Sequence, residues 1–368
     1  MDYKKKINEI KQSLYNDKLG RDIDKQMKEL KDFSSKEQYE YYKCLMYPEN
    51  SKGCKIPSRV PIATYPIQLK GSVTLSLVAS CPLYTHYVNP YALASNKLIG
   101  EVIKGKDVPT GGSGIKPDEI TITSVTTNLF RQAYGLGTGS TTSYYQGSTE
   151  VKAIPDYFSK YRLVSGGIKI KCISPVENIT GRIGGGMLIK PTRTIGGTFD
   201  YVDTGVTKSG NFGSYSPLGK VMNMEDVINL DLLNKVEDSL FDGLEMRYVP
   251  IDNSYEQFYK VISDPSDLSL EYIDSRGGSG SPYYIVGAKI KPECMPGGFN
   301  WFFYVYKPDL TTALKYTLEY VFNYECIVKA EYVEVCQPTI TPRWYDERLI
   351  REVFEEVRKR CVEKLINK

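Results

Sequence analysis

The sequence predicts a mainly β protein, an eight-stranded jelly-roll β-sandwich with an amphipathic helix at either terminus. Three observations point there. The 368 residues include 30 tyrosines, 31 glycines and 20 prolines, a composition of strands joined by frequent turns. Long stretches of the middle alternate apolar and polar residues. Apolar residues recur at helical steps at the two ends, and further helical pieces are expected only at residues 224–240. With 41% hydrophobic and 25% charged residues, the chain can bury a large core and lies outside the disordered, collagen-like and membrane-spanning compositions.

Taken in order, Ile7, Ile10 and Leu14, then Ile23, Met27 and Leu30, recur among lysines and acids and predict two short helices broken near Gly20. They open a helical arm, residues 1–60. Ile67, Leu69, Val73, Leu75, Leu77 and Ala79 then share one face of a long strand, with Gln68, Lys70, Ser72, Thr74 and Ser76 on the other. The same period returns at Ile168, Ile170 and Cys172 against Lys169 and Lys171. It returns again at Tyr316, Leu318, Tyr320, Phe322 and Tyr324 against Lys315, Thr317, Glu319 and Asn323. Shorter strands are predicted at Ile120 to Val125, Ile183 to Ile189, Glu245 to Val249, Tyr283 to Lys289 and Asn300 to Tyr306. Loops of unequal length between them fit two packed sheets better than βαβ units, giving a jelly-roll domain with long loop insertions over residues 61–335. The Gly-rich stretches at 111–114 and 135–148 read as exposed excursions. Within residues 336–368, Thr341-Pro342 precedes a helical stripe of Ile350, Val353, Val357, Cys361 and Leu365.

Charge is distributed unevenly along the chain. Residues 1–60 carry 14 basic and 10 acidic side chains, and residues 341–368 carry 8 and 6, so the overall net charge of +3 resides in the helical ends while the middle is mildly acidic. A single histidine, His86, excludes most triads, acid–base relays and zinc sites, which draw on imidazole. A hydrolase using His86 as base would need a distant nucleophile such as Ser80 to converge on it, and His86 reads as a structural residue. Eight scattered cysteines with no CxxC pair argue against a zinc ribbon, and reduced thiols are expected, there being no secretory signal after Met1. The run Gly135 to Gly139 lacks the lysine of a phosphate loop. Asp200/Asp203, Glu237/Asp238 and Asp264/Asp267 offer oxygen ligands that calcium could take at subunit contacts, but without EF-hand spacing they read as solvated acids, and no cofactor is expected. Gly184-Gly185-Gly186 inside a strand pattern predicts a bulge or a close backbone approach.

The stretch Tyr161-Arg162-Leu163-Val164-Ser165-Gly166-Gly167-Ile168-Lys169-Ile170-Lys171, followed by Asn178-Ile179-Thr180-Gly181-Arg182-Ile183-Gly184-Gly185-Gly186, resembles adjacent strands of nodavirus-like capsid proteins. Cys44 to Asn50, with Ile56-Pro57 and Pro61 to Tyr65 after it, is similar to the segment preceding their first strand. Asp242 to Pro250 and Tyr320 to Glu325 resemble a middle strand and the last one. The resemblance covers about residues 44–330 and implies a single jelly-roll coat protein that self-assembles into an icosahedral shell around an RNA or DNA genome, without catalysis. Members of that group often begin with an Arg-rich arm, where this chain has a mixed-charge amphipathic segment. Some cut themselves at an Asn near the C-terminus, but the only late Asn here is Asn367, and no such cleavage is expected.

The cations placed to meet nucleic acid are Lys4, Lys5, Lys6 and Lys11 in the N-terminal arm and Arg358, Lys359, Arg360 and Lys364 in the last helix, because sequence-independent binding needs mobile positive charge. Glu9, Glu355 and Glu356 dilute that field, which repetition around a shell would multiply. Tyrosines on outer strand faces are expected at subunit contacts, and the loops near 91–119, 130–150 and 190–240 on the outer surface, with the protein located in the virion after assembly inside the host cell. A cellular β-sandwich that binds carbohydrate through tyrosine stacking and calcium is the alternative from another class.

Overall fold

The computed structural model describes residues 36–366 apart from 52, 78–81, 89, 92–101, 104–119, 128–129, 135–141, 147–153, 176–179, 189–194, 204–205, 213–223, 251–252, 262–266, 279–280, 291–293, 295–299, 310 and 342–345. The structure is mainly β, with antiparallel sheets. Helix α1 (Lys36–Met46) leads into eight central strands: β1 (Ala63–Leu77), β2 (Leu83–Val88), β3 (Phe158–Cys172), β4 (Arg182–Leu188), β5 (Leu233–Ser239), β6 (Leu244–Arg247), β7 (Asn300–Tyr306) and β8 (Leu314–Val328). Helix α2 (Glu347–Ile366) follows them.

Two sheets are built from these strands. One has the order β6-β3-β8-β1, with the two-residue strand Thr339–Ile340 beside the start of β1 and Tyr259–Lys260 beside β3. The other has the order β5-β4-β7-β2 and continues into Phe130–Tyr134 and Thr142–Gln146. Their inner faces share one core. Trp301 on β7 stacks on Phe322 of β8 at 5.5 Å, while Met246 on β6, Ile183 on β4 and Tyr84 on β2 lie in the same buried cluster. Close approach explains two glycines here. A methyl group at Gly185 would meet the Phe302 carbonyl oxygen at 2.6 Å and the Met246 sulfur at 3.0 Å. Gly243 turns the chain into β6 with a φ of +75°, where a Cβ would stand 2.2 Å from the Ile170 carbonyl.

Six of the central strands fall where alternation predicts them, and two do not. β2 has Leu83, Tyr84, Thr85, His86 and Val88 all buried, so no polar face marks it as a strand. β5 lies inside the predicted helical stretch 224–240, of which only Met224–Ile228 is helical. Its Leu233 and Val236 pack on the core from the edge of β4, with a bulge between them opposite the glycine run: strand pairing overrides the local helical spacing. The predicted strands at 120–125 and 283–289 form, but outside the two central sheets. Ile120–Thr127 joins a four-stranded sheet with Ile195–Asp203, Val206–Phe212 and Val102–Ile103, and Ser281–Ile290 pairs in a hairpin with Leu268–Gly278. The expected loops at 130–150 and 190–240 therefore contain strands. The helices predicted between Ile7 and Leu30 lie outside the described residues.

Candidate nucleic-acid interface

The outer face of the first sheet is divided into a covered half and an open half. Over the covered half lie α1 and the chain that follows it. Cys44 at the end of α1 has its sulfur 3.2 Å from the Ser165 hydroxyl of β3. The carbonyl of Pro48 accepts from Asn323 at 2.8 Å and from Gln68 at 3.1 Å. Beyond it, Arg162 of β3 and Glu325 of β8 stand in register across the strands, both essentially inaccessible. The Arg162 Nε donates to Glu325 at 2.7 Å, and one terminal nitrogen donates to the Ile56 carbonyl and the Ser58 hydroxyl at 3.0 Å each. Glu325 in turn accepts from the Ile56 amide at 3.1 Å and the Thr64 hydroxyl at 2.9 Å. The guanidinium also lies 4.5 Å from the ring centre of Phe258. A buried pair of this kind is retained only when its remaining hydrogen-bonding capacity is met, and here the strand-entry segment meets it.

The second layer over this face is helical. Gln38 of α1 donates to the Leu349 carbonyl of α2 at 3.2 Å, and Phe354 of α2 packs edge-on against Tyr41 and Tyr255. The predicted stripe of α2 is buried at Ile350, Val353 and Val357. Asp346 caps this helix by accepting from the Arg348 amide at 2.9 Å. Of the predicted cations, Arg358 is anchored, donating to the Pro250 carbonyl at 2.8 Å, whereas Lys359 is exposed. For Arg360 and Lys364 the helical backbone alone is described, and Lys4, Lys5, Lys6 and Lys11 lie outside the described residues.

The open half carries cations that sequence reading assigned only to a solvated strand face. Lys70 on β1, Lys169 and Lys171 on β3 and Lys315 on β8 are all exposed. Cross-strand register places Thr74 beside Thr317 beside Lys171, and Ser76 beside Lys315. Glu319 and Glu245 flank Lys169 on either side. Hydroxyls and lysines at strand spacing form a surface able to meet phosphate oxygens without reading bases. The signal lies in the sequence as the lysine-bearing polar sides of three alternating strands; what local pattern lacks is that these strands are neighbours.

The other singled-out residues serve the fold. His86 lies in the core, stacked 4.4 Å from Phe303 and hydrogen-bonded to the Tyr316 hydroxyl, and burial lowers its pKa to about 3. Many of the tyrosines fill the core instead of facing outward: Tyr41, Tyr84, Tyr91, Tyr161, Tyr248, Tyr304, Tyr316 and Tyr324 are among the most deeply buried side chains, whereas Tyr65 and Tyr157 are exposed. Backbone carbonyls satisfy several of them, as Tyr161 donates to Tyr91 at 2.6 Å and Tyr324 to Pro90 at 2.6 Å. Among the described residues no three acids, cysteines or histidines gather as metal ligands. Asp267 pairs with Lys260 at 2.5 Å and Glu237 with Arg182 at 3.5 Å. Cys44, Cys54, Cys172, Cys294, Cys326 and Cys336 are free thiols, and no described helix is long and apolar enough to cross a membrane.

No protein-family model matches the chain, and no curated protein does. Solved structures with a similar course are shell proteins of viruses. They include infectious bursal virus-derived T=1 particles, at 8% identity and a TM-score of 0.41 over 89% of this chain and 94% of that one. They also include a mud crab tombus-like virus, at 10% identity and a TM-score of 0.31 over 77% and 91%. A third is the semi-empty particle of the giant freshwater prawn Macrobrachium rosenbergii nodavirus, at 12% identity and a TM-score of 0.26 over 78% and 100%.

Proposed function

We propose that this chain is a viral coat protein, a single jelly roll whose copies close an icosahedral shell around a single-stranded genome. The observation that carries the reading is spatial. The five segments resembling nodavirus-like capsid proteins come together as one unit: 161–171 lies in β3, 182–186 in β4, 244–247 forms β6 and 320–325 lies in β8, while Pro48 of the segment 44–50 is held by Asn323 and Gln68 across the sheet. The strand orders β6-β3-β8-β1 and β5-β4-β7-β2, with the chain changing sheets at nearly every step, support the double Greek key of a jelly roll.

On this reading the helical layer and the lysine face point the same way, toward the shell interior, where Lys169, Lys171, Lys315 and Lys359 and the terminal lysines meet genome phosphates. The test is expression of the full chain alone, followed by negative-stain microscopy, light scattering and the ratio of absorbance at 260 to 280 nm. Uniform closed particles with a raised ratio, lowered by nuclease after disassembly, are the expected result; a monomer at every salt and pH tried would overturn the reading.

A further inference from the structure

Large exposed apolar side chains on a folded surface mark contact sites when they are gathered rather than scattered, and here they gather at one end of the first sheet. Thr339–Ile340 pairs with Ala63 and Thr64 at the start of β1, so Ile340 and Ala63 are direct partners, and Tyr65 follows on the same side of the strand. Tyr65 stacks on Phe158 at 5.8 Å; Phe158 meets Tyr157 at 6.4 Å; and Tyr157 packs edge-on against Tyr332 at 5.0 Å. Tyr332 runs straight into the short helix Val333–Cys336. Five of the nine large apolar side chains exposed among the described residues fall on this chain of contacts: Tyr65, Tyr157, Val333, Val335 at 78% and Ile340 at 65%.

This end is where the inner face of the first sheet overhangs its partner. Thr64 and Gln68 point to the outer face, bonded to Glu325 and Asn323. Tyr65 and Ile340, one residue out of phase with them, therefore project on the core side, yet both remain exposed. The overhang also ends in a strand edge, since Thr339–Ile340 pairs with β1 alone among the described strands. The Lys55 ammonium donates to the Thr339 carbonyl at 2.5 Å and to the Thr64 carbonyl at 2.8 Å, so this edge is partly capped; apolar rings and a strand edge side by side remain two ingredients of edge association.

We propose that this overhang is a contact between two copies of the chain, made by Tyr65, Tyr157, Val333, Val335 and Ile340. The inference rests on the coat-protein reading and names one of its subunit contacts. Five such side chains expose roughly 300–600 Å² of apolar surface, the centre of a standard interface of about 800 Å² per partner but short of a whole one. A second copy supplies the balance through its own edge, because the same strand edge and the same apolar rings recur on it and can meet about a two-fold axis.

The test compares the full chain with Val335→Asp/Ile340→Asp by size-exclusion light scattering and microscopy, with circular dichroism and a thermal melt of both. The substituted side chains are mostly solvent-exposed, so the variant folds with an unchanged spectrum. Particles or dimers from the parent and a folded monomer from the variant support the contact. Particles of equal size and yield from both overturn it and leave the coat-protein reading intact. A parent that is monomeric under all conditions overturns that reading, and this contact with it. Val60→Asp, at an exposed valine outside the chain of contacts, assembles like the parent; loss of assembly there would show that any new surface charge suffices and would overturn the assignment.

Discussion

Arg162 and Glu325 face each other on neighbouring strands of the same sheet, buried and in register, with an Arg nitrogen and a carboxylate oxygen 2.5 Å apart. Together they hold Ile56, Ser58 and Thr64, so the ion pair joins the chain entering β1 to the centre of the sheet. Breaking a buried pair from one side strands the other charge, which costs about 3–5 kcal/mol. Glu325→Ala and Arg162→Ala are each expected to fall in that range by chemical denaturation. Arg162→Ala/Glu325→Ala should lose less than the sum of the singles, the shortfall measuring the coupling. Additive losses would show that the two charges act independently.

Acid sensitivity is the second expectation, and it concentrates on one residue. His86 titrates at about 3 in the folded protein because burial penalises its charged form, against 6.5 ordinarily. As pH falls below 6.5 the unfolded chain takes up a proton that the folded chain refuses, so stability is lost between pH 6.5 and about 3, at up to about 1.4 kcal/mol per pH unit. No other histidine exists to share the effect. Denaturation midpoints measured between pH 7 and 5.5, above the range where carboxylates dominate, should decline for the parent and stay flatter for His86→Gln. Parallel declines would refute the assignment.

Gly185 supplies the third. Its missing side chain lets β4 lie against β7, where the nearest obstacle to a methyl group is the Phe302 carbonyl, a backbone atom unable to swing aside. Gly185→Ala is expected to destabilise by about 1–3 kcal/mol and to reduce soluble yield. A thermal melt unchanged from the parent would show that the strands separate more easily than the geometry implies.

How far the sequence announced all this varies with how each strand is buried. β1, β3 and β8 have one wet face over part of their length, so alternation reveals them, as Lys169 and Lys171 do for β3. β2 is covered on both sides and shows only Leu-Tyr-Thr-His-Tyr-Val, a run without period. β5 is a short edge strand whose pairing with the glycines of β4 is a tertiary fact. Arg162 was visible only as part of a resembling motif. A charged residue in a strand whose neighbours are all apolar is a signal of a buried pair, but its partner lies 163 residues away, and local pattern carries no information across that distance. The tyrosines misled for a related reason. Their number suggests surface, whereas hydroxyls that reach carbonyls such as Pro90 and Tyr91 let them fill a core.

The last expectation separates anchored from available cations. Arg358 donates to the Pro250 carbonyl and belongs to the packing of α2, whereas Lys171, in a solvent-exposed pair with Glu319 at 3.9 Å, and Lys315 stand exposed beside hydroxyls on adjacent strands. If nucleic acid meets this face, each phosphate contact contributes about 0.7 to the salt dependence of affinity for a single strand. Binding of a labelled single-stranded oligonucleotide, followed by anisotropy over a salt series, should give for Lys171→Gln/Lys315→Gln a slope smaller by about 1.4, with melting temperature unchanged. Arg358→Gln should do the reverse, lowering the melting temperature while moving the slope little. An unchanged slope in the double variant would remove the open half of the sheet from the interface and leave the terminal lysines as its remaining candidates.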